Sequence, residues 1–349
     1  MTEDTASALP GLDLAALRGY LDTARPGLFT GELSGRLIAG GRSNLTYVVT
    51  DGQRELVLRR PPLSHVLATA HDMSREFRVL SALEASPVPV PHTELLCTEA
   101  EVLGAPFYLM QRVDGVAMRS LEDAAWMSDE QARAVSLRLV EVLAELHAID
   151  PDRVGLGEFG KPDGYLRRQL DRFGKQLESS RSRELPGIEE LASWLRANIP
   201  ESRRAAIVHG DYRLDNALVR ADPLEITAVL DWEMATLGDP LADLGLLYVY
   251  WTGTGESDSS ADPITGGLTK RSGFPTFAEL AEHYARYSGT DIGELHWYVA
   301  LGCYKLAVIL EGIHYRFSTG GTVGAGFEQM GNIVLRLIEN GLAARTGEH

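Results

Sequence analysis

The chain has 349 residues, of which 44% are hydrophobic and 23% are charged, and this balance is typical of a folded globular protein. Its length exceeds what one hydrophobic core usually serves, so we expect about two domains. The formal net charge of -16 repels phosphate backbones, which argues against a nucleic-acid partner.

Cysteine content and hydropathy indicate the compartment. Cys97 and Cys303 are far apart and show no disulfide framework or metal-ligand spacing, so we expect two small buried residues in a reducing environment. The start, Met1 to Asp4, lacks the apolar segment of a secretory signal. The apolar runs are too short to cross a bilayer. These features predict a cytoplasmic protein with no membrane partner.

The first third of the chain alternates between strand and helix patterns. A short amphipathic helix is predicted near the start, and Asp51-Gly52 is a two-residue hairpin signal between two strands. The predicted elements after this first helix are strands at 37–39, 45–50, 55–59, 95–99 and 107–111 and a helix at 74–83. Five strands with one inserted helix predict a small α+β domain that ends near residue 112.

After Asp114-Gly115 the pattern becomes mainly helical, with two short apolar strands at 206–208 and 226–230. The first strand leads into His209-Gly210-Asp211, and the second ends at Asp231. Phosphoryl transfer needs a carboxylate that accepts the hydroxyl proton of the acceptor. It also needs hard oxygen ligands that hold Mg²⁺ against a triphosphate. The two polar clusters therefore indicate a phosphoryl-transfer site.

This pattern is similar to a known family. His209-Gly210-Asp211 with Asn216 resembles the H-G-D-x-x-x-x-N catalytic loop of the aminoglycoside phosphotransferase and choline kinase group. Asp231 matches the Mg²⁺-binding Asp of the kinase D-F-G motif. The resemblance implies that Asp211 is the catalytic base, that Asn216 and Asp231 are metal ligands, and that His209 is structural.

The resemblance also implies the architecture: an α+β, bilobal protein-kinase-like fold. Residues 1–112 would form a nucleotide-binding lobe with a small antiparallel sheet. Residues 113–349 would form a larger, mainly helical lobe that carries the catalytic and substrate-binding residues.

Two segments of the first lobe are predicted to bind nucleotide. Gly41, Ser43 and Asn44 belong to a turn between two strands, where backbone N–H groups would cover phosphates. Arg59 stands where the family has the lysine of its V-A-I-K strand. Because side chains alternate along a strand, Arg59 and Arg60 point to opposite faces, and we favour Arg59 as the phosphate contact.

Three further residues complete the nucleotide-site prediction. Glu76, on the next helix, matches the family's ion-pair partner of Arg59; the alternative is a solvated glutamate on a helix surface. Gln111 and Val113 match the hinge of the family, where backbone groups would pair with the adenine edge.

Asp243 resembles a buried Asp of the family that hydrogen-bonds the backbone of the catalytic loop.

The segment 304–316 resembles a sub-branch related to the kinase-like domain fused to some acyl-CoA dehydrogenases. Glu311, His314 and Arg316 either line the acceptor pocket or belong to a core helix with a solvated edge. The sub-branch suggests a hydroxy acid or a hydroxylated acyl thioester as acceptor.

The prediction is an ATP- and Mg²⁺-dependent phosphotransferase that acts on a small-molecule alcohol, as a monomer or homodimer. Two alternatives stay open. One is a nucleotide-binding protein of the same fold without catalysis. The other is a metal-dependent hydrolase that uses Asp211, Asp231 and His209 as ligands.

Overall fold

The computed structural model describes residues 9–38, 44–63, 72–202, 204–253, 264, 266–319 and 330–347. The chain divides into two compact units. Unit 1 comprises Met1–Asp114 and Ala228–Glu233, and unit 2 comprises Gly115–Thr227 and Met234–His349. The functional division into lobes 1–112 and 113–349 stays a prediction.

Unit 1 is built on an antiparallel sheet of five strands in the order β1-β2-β3-β5-β4. Its elements are α1 (Leu14–Ala24), β1 (Ser34–Leu37), β2 (Leu45–Thr50), β3 (Glu55–Arg60), α2 (Met73–Leu83), β4 (Thr93–Cys97), α3 (Ala100–Leu103) and β5 (Phe107–Gln111). The helix α1 begins where the Asp13 carboxylate accepts hydrogen bonds from the N–H groups of Ala15 and Ala16. The single turn α3 lies between the predicted strands 95–99 and 107–111, where the sequence analysis predicts no helix. Gly104 ends α3 in the left-handed conformation.

The register of the sheet determines the position of Arg59. In the central strand β3, Arg59 pairs with Thr46 of β2 and with Tyr108 of β5. Arg60 points to the other face, where it is buried and donates a hydrogen bond to the Leu103 carbonyl at 2.7 Å. The predicted alternation of the two arginines is therefore confirmed.

Unit 2 is mainly helical. Its elements are β6 (Val116–Ala117), α4 (Asp129–Ala148), α5 (Tyr165–Ser180), α6 (Ile188–Ala197), β7 (Ala206–Val208), β8 (Ala217–Ala221), β9 (Leu224–Val229, whose last two residues group with unit 1), β10 (Thr236–Gly238), α7 (Leu241–Thr252), α8 (Phe277–Ser288), α9 (Leu295–Ser318) and α10 (Met330–Ala343). Two small sheets, β6-β8-β9 and β10-β7, carry the loops that follow β7 and β9. Capping boxes begin α4 at Ser128 and α8 at Thr276.

The helix α9 packs against α5, α6, α7 and α10 and is the central helix of unit 2. Its contact with α7 is close because both helices have a glycine there. A Cβ atom on Gly302 would lie 2.7 Å from the carbonyl oxygen of Gly245. Among the described helices, none combines the length and apolarity that crossing a bilayer requires.

Candidate active site

The loop after β7 presents Asp211. All three residues of β7 are buried, and the chain then turns at Gly210, whose φ is +83°. Only glycine adopts this conformation without strain, and a Cβ atom here would lie 2.7 Å from the Met234 carbonyl oxygen. The glycine of the His209-Gly210-Asp211 motif is thus required by backbone geometry.

Asp243, near the start of α7, anchors the backbone of this loop. Its carboxylate accepts hydrogen bonds from the N–H of His209 at 2.7 Å and from the N–H of Gly210 at 2.8 Å. The contact predicted for Asp243 is therefore confirmed. Burial alone would raise the pKa of Asp243, but the hydrogen bond and charge of His147 and the loop N–H of Gly210 hold that pKa lowered. Asp243 thus remains a charged acceptor for the loop.

The Asp211 carboxylate is held on both oxygens. Asn216 donates from Nδ2 to Asp211 Oδ2 at 3.1 Å and to the Asp211 carbonyl at 2.8 Å. The phenol of Tyr250 donates to Oδ1 at 2.6 Å. Because Asn216 uses its amide nitrogen on Asp211, its amide oxygen is the atom suited to a hard cation.

Sequence reasoning missed Tyr250. It lies near the end of α7, where an aromatic residue in an apolar helix is indistinguishable from a core residue. The Arg213 guanidinium stacks over its ring, 4.7 Å from the centroid. Burial and the charge of Asp211 raise the pKa of Tyr250 well above its usual value, so the phenol stays protonated and remains a donor.

Replacing Tyr250 by Phe removes this hydrogen bond while keeping the ring. We expect kcat to fall roughly ten- to hundredfold, because a hydrogen bond to a charged group contributes about 1.5–3 kcal/mol. The measurement is steady-state turnover. Tyr287→Phe is the matched control, since Tyr287 is 50% exposed and its phenol donates to Glu145, away from Asp211. Equal rates for wild type and Tyr250→Phe would contradict the role of this phenol.

In unit 1, Arg59 is the centre of an acidic cluster. Its Nε lies 3.1 Å from Glu76 Oε2, its guanidinium forms an ion pair with Asp231, and Glu233 lies 4.0 Å away. Glu76 is only 1% exposed. The predicted pairing of Arg59 with Glu76 is confirmed, and the alternative of a solvated glutamate is wrong.

Burial and charge oppose each other in this cluster. Burial acts to lower the pKa of Arg59, but the neighbouring acidic groups, Glu76 foremost, outweigh it and hold that pKa raised. Burial raises the pKa of Glu76, although Arg59, the Tyr108 phenol and the backbone N–H of Trp232 each act to lower it. Arg59 is thus a permanent cation among these acidic groups.

Asp231 has an unusual backbone. Its φ of +67° makes it the one residue other than glycine with a positive φ among the described residues. The next residue, Trp232, is fully buried and donates its indole N–H to the Val229 carbonyl at 3.0 Å. This anchor keeps Asp231 in a strained conformation, of the kind that is common at functional sites.

The structure describes only some of the other residues that were predicted to bind nucleotide. Gly41 and Ser43 lie outside the described residues. Asn44 is buried and donates from Nδ2 to Glu233 at 3.0 Å, while its Oδ1 is buried without a partner among the described atoms. Gln111 ends β5, and its N–H donates to the His92 carbonyl at 2.7 Å, so a hinge role for Gln111 would depend on its carbonyl. Val113 lies two residues beyond the end of β5.

The three residues of α9 that were considered for the acceptor pocket differ in burial. Glu311 is fully buried and pairs with Arg183 at 2.8 Å. Arg183 also donates to the Gly331 carbonyl at 2.8 Å, which links α9 to α10. This internal pairing favours the core-helix interpretation for Glu311. His314 is half-buried, and Arg316 is exposed.

The motifs and fold agree with one family of enzymes. Residues 34–298 match the model of the phosphotransferase enzyme family, APH. The chain belongs to this family. A solved structure with a TM-score of 0.82, a putative aminoglycoside phosphotransferase from Ralstonia eutropha, is 31% identical to it and covers 96% of this chain and 98% of that one. The predicted α+β, protein-kinase-like fold is confirmed.

Curated relatives are longer than this chain. Acyl-CoA dehydrogenase family member 11 of Rattus norvegicus is 34% identical over 98% of this chain, which spans 44% of that protein. A probable acyl-CoA dehydrogenase of Arabidopsis thaliana, IBR3, is 32% identical over 80% of this chain and is covered to 36%. Less than half of each relative therefore corresponds to this chain. The predicted resemblance to the domain found with acyl-CoA dehydrogenases is confirmed.

Proposed function

We propose that this chain transfers the γ-phosphoryl group of ATP to the hydroxyl of a small molecule, with Mg²⁺ as the metal. The observation that carries the proposal is the held carboxylate of Asp211. It follows a buried strand, on a loop fastened by Asp243, and each of its oxygens accepts a hydrogen bond from Asn216 or Tyr250. This arrangement suits a base that must be positioned before an acceptor hydroxyl arrives.

In the proposed reaction, the chain's own residues accept a proton and position the reacting groups. Asp211 orients the acceptor hydroxyl and takes its proton as the oxygen bonds to the γ-phosphorus of ATP. The bond between that phosphorus and the bridging oxygen to the β-phosphate breaks, and ADP leaves. Positioning and electrostatics supply most of the rate in reactions of this class. Tyr250 and Asn216 keep the two carboxylate oxygens of Asp211 in fixed directions.

Both proposed metal ligands have oxygen atoms of the kind that Mg²⁺ prefers. Asn216 has an amide oxygen left after its nitrogen bonds Asp211, and Asp231 is a carboxylate held in a strained backbone. Each of these two residues is proposed as a ligand of the ion. When bound, Mg²⁺ neutralises charge on the phosphate oxygens.

Arg59 would bind phosphate oxygens, because its fork of N–H donors matches them and Glu76 keeps it in place. Arg60 is unsuited to this role, since its guanidinium already bonds backbone carbonyls. Gly41, Ser43, Asn44, Gln111 and Val113 complete the proposed nucleotide site. Structures of the same fold hold AMP-PNP in one case and GDP in another, so ATP and GTP should be compared directly.

The acceptor is proposed only as a small alcohol. Structures of the same fold are complexes with hygromycin B and with kanamycin, at 17% identity to this chain. Fold likeness does not transfer a substrate. An acceptor panel should therefore include aminoglycosides, hydroxy acids and hydroxylated acyl thioesters.

Ligand-dependent unfolding tests the nucleotide part of the proposal. ATP with Mg²⁺ is expected to raise the unfolding temperature, because a ligand at 100 times its Kd stabilises the folded state by about 2.7 kcal/mol. Removing Mg²⁺ with a chelator should reduce the shift. No shift at millimolar nucleotide would contradict the proposal, and ATP consumption across the acceptor panel then tests turnover.

The hydrolase alternative gains no support from the site. No group of three or more His, Cys, Asp or Glu side chains that could hold a metal ion occurs in the described part of the chain.

Both cysteines are free and buried, which agrees with the proposed cytoplasmic location. We propose a monomer or homodimer with a small-molecule substrate and no nucleic-acid or membrane partner.

A further inference from the structure

A lysine outside the family motif bonds the catalytic loop. Lys305 lies in the middle of α9, and its ammonium donates a hydrogen bond to the carbonyl oxygen of Gly210 at 2.5 Å. Gly210 directly precedes Asp211. The bond therefore falls on the peptide unit from which the proposed base projects.

This peptide unit is held at both ends. Its carbonyl accepts from Lys305, and its N–H, which belongs to Asp211, donates to His209 Nδ1 at 3.2 Å. The two preceding N–H groups donate to Asp243. Asp243 thus fixes the path of the chain into the loop, while Lys305 and His209 fix the plane of the peptide that orients Asp211.

Close helix packing brings Lys305 to the loop. Gly302 lies nearly one turn before Lys305 on the same face of α9, and it allows α9 to approach α7 at Gly245. A Cβ atom on Gly302 would also lie 3.1 Å from the Leu246 Cα. In this arrangement the Lys305 side chain lies within hydrogen-bonding distance of the Gly210 carbonyl.

Burial and the neighbouring charges act on Lys305 in opposite directions. On balance its pKa is lowered, chiefly by burial and further by Arg172 of α5, although Asp211 and Asp243 act to raise it. The Tyr165 phenol lines the same small cavity as the Lys305 side chain. A buried ammonium is costly unless it is compensated, and here the hydrogen bond to the Gly210 carbonyl and the charges of Asp211 and Asp243 act in its favour.

We propose that Lys305 is a positioning residue for Asp211, acting through the Gly210 carbonyl. Losing it would leave the nucleotide site intact but let the Gly210–Asp211 peptide rotate. The kinetic consequence rests on the proposed phosphotransferase function, whereas the effect on the loop does not.

The test compares Lys305→Met, which keeps the length of the side chain and removes the donor, with Lys305→Arg, which keeps a cationic donor. Lys175→Met is the matched control, because Lys175 is exposed on α5. Hydrogen exchange is measured on a peptide that spans residues 207–214. Turnover is measured with the best acceptor of the panel, and kcat is separated from the KM for ATP.

In Lys305→Met, we expect exchange in the loop to become roughly tenfold faster. We expect kcat to fall roughly ten- to hundredfold at unchanged KM for ATP, since one charge-assisted hydrogen bond is lost. Lys305→Arg should recover most of kcat. Unchanged loop exchange in Lys305→Met, or a kcat within about twofold of wild type, would overturn the inference. If the wild type itself shows no turnover, the proposed function fails, and the exchange measurement still decides the role of Lys305.

Discussion

Replacing Asp211 by Asn is expected to lower turnover roughly 10²- to 10⁴-fold, because a positioned general base contributes about that factor. The amide has nearly the same shape as the carboxylate, and its oxygen can still accept from Tyr250. The stabilisation by ATP and Mg²⁺ should therefore persist. Steady-state turnover and ligand-dependent unfolding, measured on the same preparation, check both parts.

Asp171→Asn is the control for this variant, since Asp171 is an exposed residue of α5. It makes the same chemical change without touching the loop, and its turnover should match the wild type. If Asp211→Asn retained wild-type turnover, the assignment of the base would be wrong. Loss of both turnover and nucleotide stabilisation would instead indicate a role for Asp211 in binding.

Replacing Arg59 by Met is expected to have the largest effect on stability. It leaves the buried Glu76 carboxylate without its cation, and breaking a buried pair from one side costs about 3–5 kcal/mol. Denaturant unfolding measures this loss. Stabilisation by ATP should also disappear, because the proposed phosphate contact is gone.

The double variant Arg59→Met with Glu76→Gln separates these two effects. Gln keeps an oxygen that can accept from the Tyr108 phenol and the Trp232 N–H but carries no charge. The double variant should regain most of the lost stability yet remain insensitive to ATP. Arg36→Met on the exposed part of β1 is the control. An Arg59→Met protein that was still stabilised by ATP would show that the phosphate contact lies elsewhere.

Local patterns in the sequence predicted much of the fold. Strands β2 and β5 lie within the predicted bounds, because both have continuous apolar runs bounded by turn residues. The short helix α3 was missed, since four residues are too few to show helical periodicity. The sequence also indicated Asp211, Asn216 and Asp231, because each of them follows closely after a short apolar strand.

The partners of these residues depend on contacts between segments far apart in the chain. Tyr250 follows Asp211 by 39 positions, and Lys305 lies 95 positions from Gly210. Neither belongs to a motif, and each has the pattern of an ordinary helix residue. Glu311 shows the converse, because its polar character suggested a pocket while its buried pairing with Arg183 indicates internal packing.

The sequence by itself indicated the class of fold and the loop that carries Asp211, and the resemblance of that loop to a known family implied Asp211 as the candidate base. Only the tertiary structure decided how that carboxylate is held. Its oxygens face Asn216 and Tyr250, and its peptide is fastened by Lys305, because two glycines let α7 and α9 pack closely. Such packing depends on the shapes of two helices together, and no pattern within either one encodes it.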